Sequence, residues 1–487
     1  MNYLLDNFWW FLLALNYLLV FITAGYELMH FREPVKSISL IFALFVLPGI
    51  GLAVYYFFAQ EFRKSKLFNR KKLYDQEIIK HWDKKLILAE KDLLNYKNEC
   101  VEKKIKLVHL LQNNQSKPVT FKNKVKILLN GEKKFASLFE DLKNAKDHIH
   151  LEYYIFNSGL LGNRLIVHLC EKADEGVKVR VSYDYVVSNL SSAAIKKMKA
   201  HGIEIYPFMP VWFPNLTRKL NYRNHRKMVI IDGNIGYVGG INICDEYVNF
   251  EENPKDKMFW RDTHLRLEGH AVKSLQVQFI LNFNFISGKE LKIEDTFFPK
   301  IAPTKKIGVQ IAASGPDTDW QNIMEAIFTA INTAEKSIYI TTPYFIPNNQ
   351  ILTALCTASR IGIEVKMIIP EIGDSKIARY ATNSYIEQLL ESGVQVYQYQ
   401  KGMVHAKTMV VDGMLSSIGS CNLDNRSFDI NFEINAIIYD SEIALEMTKI
   451  YKDDLKHCRE LTLEEWLQRP AAEKVREALA RLWAPLL

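Results

Sequence analysis

Cysteine is scarce in this chain and poorly spaced for metal or disulfide chemistry. Six occur in 487 residues, Cys100, Cys170, Cys244, Cys356, Cys421 and Cys458, with no Cys-x-x-Cys pair and no histidine cluster at zinc spacing. A disulfide framework and a structural zinc are both disfavoured, and reduced thiols in a cytosolic setting are expected. Cys244 and Cys421 each lie close after a motif described below and read as small buried residues. Strong charge of one sign is also missing. A net charge of +7 suits an anionic partner but does not choose between nucleic acid and lipid. Lysine and arginine are absent ahead of the first apolar run, where Asp6 stands instead, so a secretory signal peptide fits poorly. Apolar residues are plentiful, at 48% of a chain long enough for two or three domains with real cores.

Two apolar runs open the chain. Phe8 to Tyr26 is uncharged, and Ile38 to Ala59 is broken only by Ser39, Pro48, Gly49 and Gly51. Each is long enough to cross a hydrocarbon core of roughly 30 Å, and together they predict a two-helix transmembrane hairpin over 1–62. A basic segment follows, with Arg63, Lys64, Lys66, Arg70, Lys71 and Lys72. By the positive-inside rule it lies in the cytoplasm with everything after it. It serves equally as a bare topology signal or as a contact for an anionic leaflet. Residues 63–118 read as this basic segment and a charged helical connector.

A globular repeat begins near Val119. Gly176-Val-Lys-Val-Arg-Val matches Gly362-Ile-Glu-Val-Lys-Met, and Gly202-Ile-Glu-Ile-Tyr matches Gly393-Val-Gln-Val-Tyr. β-Branched runs separated by helical patterns predict an α/β fold of two tandem sandwich halves, 119–300 and 301–487, with a C-terminal helix. Duplication predicts pseudo-twofold partners.

Each half carries the same motif. His225-Arg-Lys227, four residues, Asp232 and then Gly239-Gly240-Ile241-Asn242 returns as His405-Ala-Lys407, four residues, Asp412 and Gly419-Ser420-Cys421-Asn422. One His-x-Lys-x4-Asp match has a chance of roughly a few per cent in a chain this long; two with the same Gly-x-x-Asn sequel are far less accidental. Histidine and lysine two apart on a strand share a face. Halves joined face to face would bring two imidazoles and two ammoniums around one phosphodiester. The lysines would neutralise its charge and its pentacoordinate transition state. Asn242 and Asn422 would donate amide hydrogens to its oxygens. One histidine would attack phosphorus and the other protonate the leaving alkoxide, with no metal and no cofactor. The motif aspartates Asp232 and Asp412 are candidates for chemistry, but each precedes glycine and suits a turn equally well. Asp262 and Glu433, each opening a later strand, are better placed to orient the histidines through Nδ1.

These paired motifs resemble the phospholipase D superfamily, and within it the bacterial cardiolipin synthases. Further similar segments are His148-Ile-His-Leu-Glu-Tyr-Tyr-Ile, Trp260-Arg-Asp-Thr-His, Thr342-Pro-Tyr-Phe-Ile-Pro and the terminal Arg481-Leu-Trp-Ala-Pro-Leu-Leu. The resemblance implies two tandem phospholipase D-like halves and transfer of a phosphatidyl group between two phosphatidylglycerol molecules, giving cardiolipin and glycerol. It implies that His225, Lys227, Asn242, His405, Lys407 and Asn422 line the site, with His225 favoured as nucleophile. Ser420, where the first half has Gly240, is an added contact candidate. The expected partners are phosphatidylglycerol and anionic lipid of a bacterial inner membrane, with the catalytic halves cytoplasmic and no nucleic acid. A membrane phospholipase D that passes the same intermediate to water is the alternative. The aromatic and basic loop from Pro210 to Arg223 either dips into the lipid interface or packs on the body.

Overall fold

β-Branched runs that alternate with amphipathic helices become one mixed sheet covered on both faces. The structure, a computed structural model, describes residues 8–30, 41–42, 44–46, 49, 51–52, 98–115, 118–210, 222–249, 258–291, 294–300 and 305–484. The basic cluster after the second apolar run, and the loop from 211 to 221, lie outside the described residues. The chain divides into two compact units, Met1–Ser65 and Lys66–Leu487.

In the larger unit the first half supplies β1 (Thr120–Leu129), β2 (His148–Tyr153), β3 (Lys178–Asp184), β4 (Glu204–Phe208), β5 (Lys227–Ile231), β6 (Ile235–Gly239), β7 (Phe259–Arg261) and β8 (Thr263–Gly269). The second supplies β9 (Ile307–Ser314), β10 (Ser337–Thr341), β11 (Phe345–Ile346), β12 (Glu364–Pro370), β13 (Gln395–Tyr399), β14 (Gly402–Val404), β15 (Thr408–Val411), β16 (Leu415–Gly419), β17 (Leu423–Asp424), β18 (Glu433–Tyr439) and β19 (Cys458–Glu460). Read outward from the middle, one arm of the sheet runs β1-β8-β6-β5-β2-β3-β4 and the other β9-β18-β16-β15-β10-β12-β13-β19. The order of equivalent strands is the same in both arms. At the seam β1 and β9 pair antiparallel, with Thr120 opposite Val309 and Asn123 opposite Ile307. The halves are therefore joined edge to edge in one sheet, and not face to face as the motif argument supposed. The physical reason is the unpaired edge: pairing β1 with β9 removes two exposed strand edges at once.

Period-two burial explains the layering. On β5, Val229 and Ile231 face a core built with Phe135, Leu138, Leu165 and Leu169 from helices Asn130–Lys143 and Leu160–Asp174. Met228 and Ile230 face the opposite core, shared by both halves, where helix Ala271–Ser287 contributes Leu275 and Phe279 and helix Ser441–Leu455 contributes Ala444 and Met447. Strands buried on both faces read as continuous apolar runs rather than alternating ones. The connector is not a free arm where it is described. Helices Glu99–Lys103 and Ile105–Gln115 place Val101, Leu107, Val108 and Leu111 in the second-half core with Ile323 and Ile327.

The smaller unit departs from expectation. Helix Phe8–His30 follows the first apolar run. Among the described residues, however, no helix is long and apolar enough to cross a membrane. The expected transmembrane hairpin is thus not supported. Asn16, Thr23 and Gly25 interrupt the first run, and the second is described only at 41–42, 44–46, 49 and 51–52. Within this unit Asn16 Oδ1 accepts from the Gly49 amide at 2.8 Å, and the Phe21 and Phe45 rings meet edge-on at 5.1 Å.

The motif aspartates sit in turns, at the far end of their strands from the histidines. Asp232 and Gly233 have φ of 51° and 64°, and Asp412 and Gly413 have 56° and 63°. Two successive positive φ values define the type I′ hairpin. At Gly233 a Cβ would also lie 2.4 Å from the Phe297 carbonyl oxygen. The Asp232 carboxylate accepts the amides of Lys146, Asp147 and His148, which start β2. Asp412 accepts those of Glu335, Lys336 and Ser337, which start β10, and adds an ion pair with buried Lys104 at 2.5 Å. The catalytic candidacy of Asp232 and Asp412 is corrected accordingly: they clamp neighbouring strands, about five residues, or roughly 15 Å, from the motif lysines. Asp232→Ala should cost about 2–4 kcal/mol through lost charged hydrogen bonds. Asp412→Ala should cost more, because Lys104 is left buried and unpaired. Thermal unfolding measures both, and turnover per folded molecule, assayed well below the transition, should stay within threefold of the parent.

Candidate active site

Each motif lies where a central strand begins. Lys227 opens β5 and Lys407 immediately precedes β15, while Gly239 and Gly419 close the adjacent β6 and β16. Antiparallel pairing of β5 with β6 and of β15 with β16 therefore brings His-x-Lys and Gly-x-x-Asn to one end of the sheet in each half.

The halves then lock to each other at those ends. The His225 amide donates to the Phe432 carbonyl at 2.9 Å, and the His405 amide to the Arg261 carbonyl at 2.7 Å. Strand β14, just before His405, pairs with β7 of the other half. One residue after Phe432 comes Glu433, and one after Arg261 comes Asp262. Backbone pairing thus delivers each carboxylate to the histidine of the opposite half. His225 Nδ1 lies 2.8 Å from Glu433 Oε1, and His405 Nδ1 lies 2.7 Å from Asp262 Oδ2. An Nδ1–H bound to a carboxylate leaves Nε2 as the reactive nitrogen. The structure places His225, His405, Lys227, Lys407, Asp262 and Glu433 in one buried cluster.

The lysines hold themselves against the backbone. Lys227 Nζ donates to the His225 carbonyl at 2.6 Å. Lys407 Nζ bonds the His405 carbonyl and lies 2.9 Å from Nδ1 and 3.0 Å from Nε2 of that ring. Aromatic rings flank both imidazoles. Tyr154 meets the His225 ring edge-on at 4.6 Å, and Trp260 and Tyr247 stand 5.3 and 5.5 Å from His405.

Burial disfavours every charge gathered here. His225 is pushed well below the usual imidazole range by burial and by the charges of Lys227, Lys407 and His405. His405 falls to about 4 through burial and Lys407, against the pull of Asp262. Lys227 falls well below its usual range by burial, while Lys407 falls to about 8 for the same reason, opposed by Asp262 and Glu433. Burial lifts Glu433 to about 7, against Lys227 and Ser420. Burial thus favours the neutral imidazole at both positions, a bias that an incoming anion would offset. Among the described residues no group of histidine, cysteine and carboxylate side chains is arranged to hold a metal ion.

The remaining candidates fall into different places. Asn242 accepts the Ile155 amide and donates to the Tyr247 hydroxyl at 2.7 Å, which lies 3.4 Å from His405 Nδ1. Asn422 is buried, and its Oδ1 has no hydrogen-bond partner. Ser420 does not face a ligand: its hydroxyl donates to Glu433 Oε2 at 2.5 Å and accepts the Ile434 amide. Its candidacy as a substrate contact is corrected to support of Glu433. The glycine at the equivalent place has a steric reason, since a Cβ on Gly240 would lie 2.2 Å from Asp262 Oδ1. Sequence reasoning missed Tyr154, Tyr247, Trp260 and Arg226. The Arg226 side chain points away from its motif neighbours, with Nε donating to the Glu433 carbonyl and Nη1 3.7 Å from Glu152. Tyr154 and Trp260 lay inside the similar segments quoted above, which was their only signal.

Asp262→Asn and Glu433→Gln should each lower phosphodiester turnover by about 10²–10⁴-fold, by releasing the imidazole tautomer. Gly240→Ser should fall by a comparable factor with little loss of folded protein, because the new side chain displaces Asp262. Steady-state rates beside circular dichroism spectra check all three.

Comparison with known proteins shows the family. A family model described as "Cardiolipin synthase, PLD-like domain" matches residues 138–260 and 327–455. A cardiolipin synthase of Geobacillus sp. (strain WCH70) is 39% identical over 460 residues, spanning 94% of this chain and 90% of the relative. The major cardiolipin synthase ClsA of Bacillus subtilis (strain 168) is 41% identical over 461 residues, 94% of both chains. A phosphatidylserine synthase crystal structure from Haemophilus influenzae Rd KW20 superimposes with a TM-score of 0.60 at 16% identity, covering 78% of this chain and all of that one. That last likeness is one of fold.

Proposed function

This chain belongs to the cardiolipin synthase family of phospholipase D-like phosphatidyltransferases, and from that premise we propose that it joins two phosphatidylglycerol molecules through a phosphohistidine. The observation that carries the chemistry is the crossed pair of histidine–carboxylate bonds, His225 with Glu433 and His405 with Asp262. As the anionic phosphodiester binds, His405 takes a proton from solvent at Nε2; His225 Nε2 then attacks phosphorus as the bond to the glycerol oxygen breaks, and His405 gives that oxygen its proton. The primary hydroxyl of the second lipid then loses its proton to His405 and attacks phosphorus. The P–N bond breaks, and cardiolipin leaves beside the glycerol already released. Phosphoester bonds are exchanged one for one, so no nucleotide is consumed.

The roles are split by charge. His225 is kept neutral by burial and by the neighbouring Lys227 and Lys407, which suits a nucleophile. His405 has Asp262 and Asp374 pulling its proton affinity upward, which suits the acid and base. An anionic phosphodiester raises it further on binding. Lys227 and Lys407 stabilise the phosphoryl oxygens. Asn242 supports the His405 side through Tyr247, and buried Asn422 has an amide oxygen left to accept a further hydrogen bond. Asp262 and Glu433 are positioning residues. No cofactor and no nucleic acid enters.

Membrane attachment belongs to the same proposal. Trp10, Phe11, Phe21, Ile22 and Leu28 are exposed on helix Phe8–His30. This exposed apolar face suits attachment to a bacterial inner membrane, and the basic segment after it suits a cytoplasmic location for the catalytic halves.

Purified protein in mixed micelles with phosphatidylglycerol should yield cardiolipin and glycerol. Accumulation of phosphatidic acid in place of cardiolipin would establish a hydrolase instead. His225→Ala and His405→Ala should each reduce product to background, and labelled lipid should leave a phosphorylated peptide containing residue 225 in brief exposures. For pH, the sign follows from Lys407: a lysine with affinity lowered to about 8 is charged below that pH and neutral above it. The kcat/KM profile should therefore fall as pH rises through about 8, and Lys407→Arg, where active, should move that limb upward.

A further inference from the structure

The two halves are matched strand for strand, yet they differ sharply at one point beside the cleft. The bridge Phe156–Ile243 in the first half corresponds to Phe345–Leu423 in the second, so Tyr344 stands where the first half has Ile155. The pairing Ile149–Val179 corresponds to Ile338–Val365, so Asp374 lies in the loop whose first-half counterpart holds Ser188. Ser188 is spent on backbone, accepting the Phe156 amide and donating to the Tyr154 carbonyl. Tyr344 and Asp374 instead hold each other, hydroxyl to carboxylate at 2.5 Å, in the second half alone.

Their place is beside the second-half motif. The Tyr344 carbonyl is held by Thr342 Oγ1, which also accepts the amide of Leu423, the residue after Asn422. Asp374 is exposed, in the loop that follows β12, and Tyr344 is partly buried behind it. The carboxylate is near enough to His405 and Lys407 to favour their charged forms.

A carboxylate here opposes the phosphate that the site is built to attract. It needs a ligand of the opposite hydrogen-bonding sense. A carboxylate accepts from two hydroxyls at once, and a tyrosine oxygen that donates to it still has a lone pair free. The leaving group and the acceptor in the proposed reaction are both glyceryl alcohols with a hydroxyl adjacent to the reacting oxygen. That oxygen must lie at His405, on the side of the cleft where this pair stands.

We propose that Asp374 and Tyr344 form the glycerol subsite, accepting the vicinal hydroxyl of the departing head group and then of the incoming one. The first half, with Ile155 and Ser188, offers no such acceptor pair at the matching place. The subsite is thereby one-sided and selects a diol on the His405 side. This rests on the phosphatidylglycerol reading above and adds the residues that recognise its head group.

The test is acceptor choice by the full-length protein. With phosphatidylglycerol as donor, labelled glycerol and propan-1-ol compete for the phosphatidyl group, giving labelled phosphatidylglycerol and phosphatidylpropanol. The readout is the ratio of kcat/KM for glycerol to that for propan-1-ol. A site that hydrogen-bonds a hydroxyl discriminates against the analogue without it. Asp374→Asn should reduce the ratio by about tenfold and Tyr344→Phe by a smaller factor, each from the loss of one hydrogen bond. A ratio within twofold of the parent in Asp374→Asn overturns the subsite, and so does an equal fall in both rates, which marks a general electrostatic or structural role. Parent protein that makes no cardiolipin and transfers to neither alcohol overturns the function itself, a result separable from failure of the subsite alone.

Discussion

The pairing of β1 with β9 is the contact on which the rest depends. Equivalent strands that meet antiparallel relate their halves by a local twofold, and everything attached to each sheet arm follows that rotation. The two motif ends are then turned toward each other. The segments around Phe432 and Arg261 complete the closure by hydrogen bonding to the motif backbone of the opposite half. Rigid strands on a shared core hold these positions more narrowly than loops would. The core that includes Met228, Ile311 and Ile434 spans both halves, so the seam is backed by side chains as well as by its ladder.

Crossing has an electrostatic consequence. Each histidine takes its carboxylate from the other half, so neither half holds a complete site. Two lysines, two imidazoles and their carboxylates are taken out of water together. Desolvation leaves the cations less charged than in solvent and lifts Glu433 as well. In the proposed reaction an anionic phosphodiester restores favourable pairing for protons on His405 and the lysines.

Small departures from symmetry divide the labour. Glu433 is the longer carboxylate and is braced by Ser420, while Asp262 is shorter and occupies the space that a side chain at position 240 would need. Serine in one motif and glycine in the other are therefore matched to their carboxylates. Tyr344 and Asp374 are a second departure, on the His405 side. A duplicated scaffold processing an unsymmetrical ester needs such differences, since phosphatidyl and head-group sides of phosphorus are chemically unlike.

Much was legible in the amino-acid order alone. The repeat, the α/β class, the paired His-x-Lys motifs and the usefulness of Asp262 and Glu433 all follow from local pattern, because strand periodicity and residue chemistry are local properties. The turn role of Asp232 and Asp412 was already half visible in their Asp-Gly dipeptides, but choosing it required the amides of His148 and Ser337, far away in sequence. Other decisions belonged to tertiary structure. The edge-to-edge seam depends on which strand edge finds a partner, and that is a property of the assembled sheet. The exchange of carboxylates between halves, the turning of Ser420 toward Glu433 and the joining of Tyr344 to Asp374 bring together residues from 13 to 208 positions apart. The chain by itself named the candidate groups; only folding determined which would touch, because contact between distant side chains is set by packing and not by spacing along the backbone.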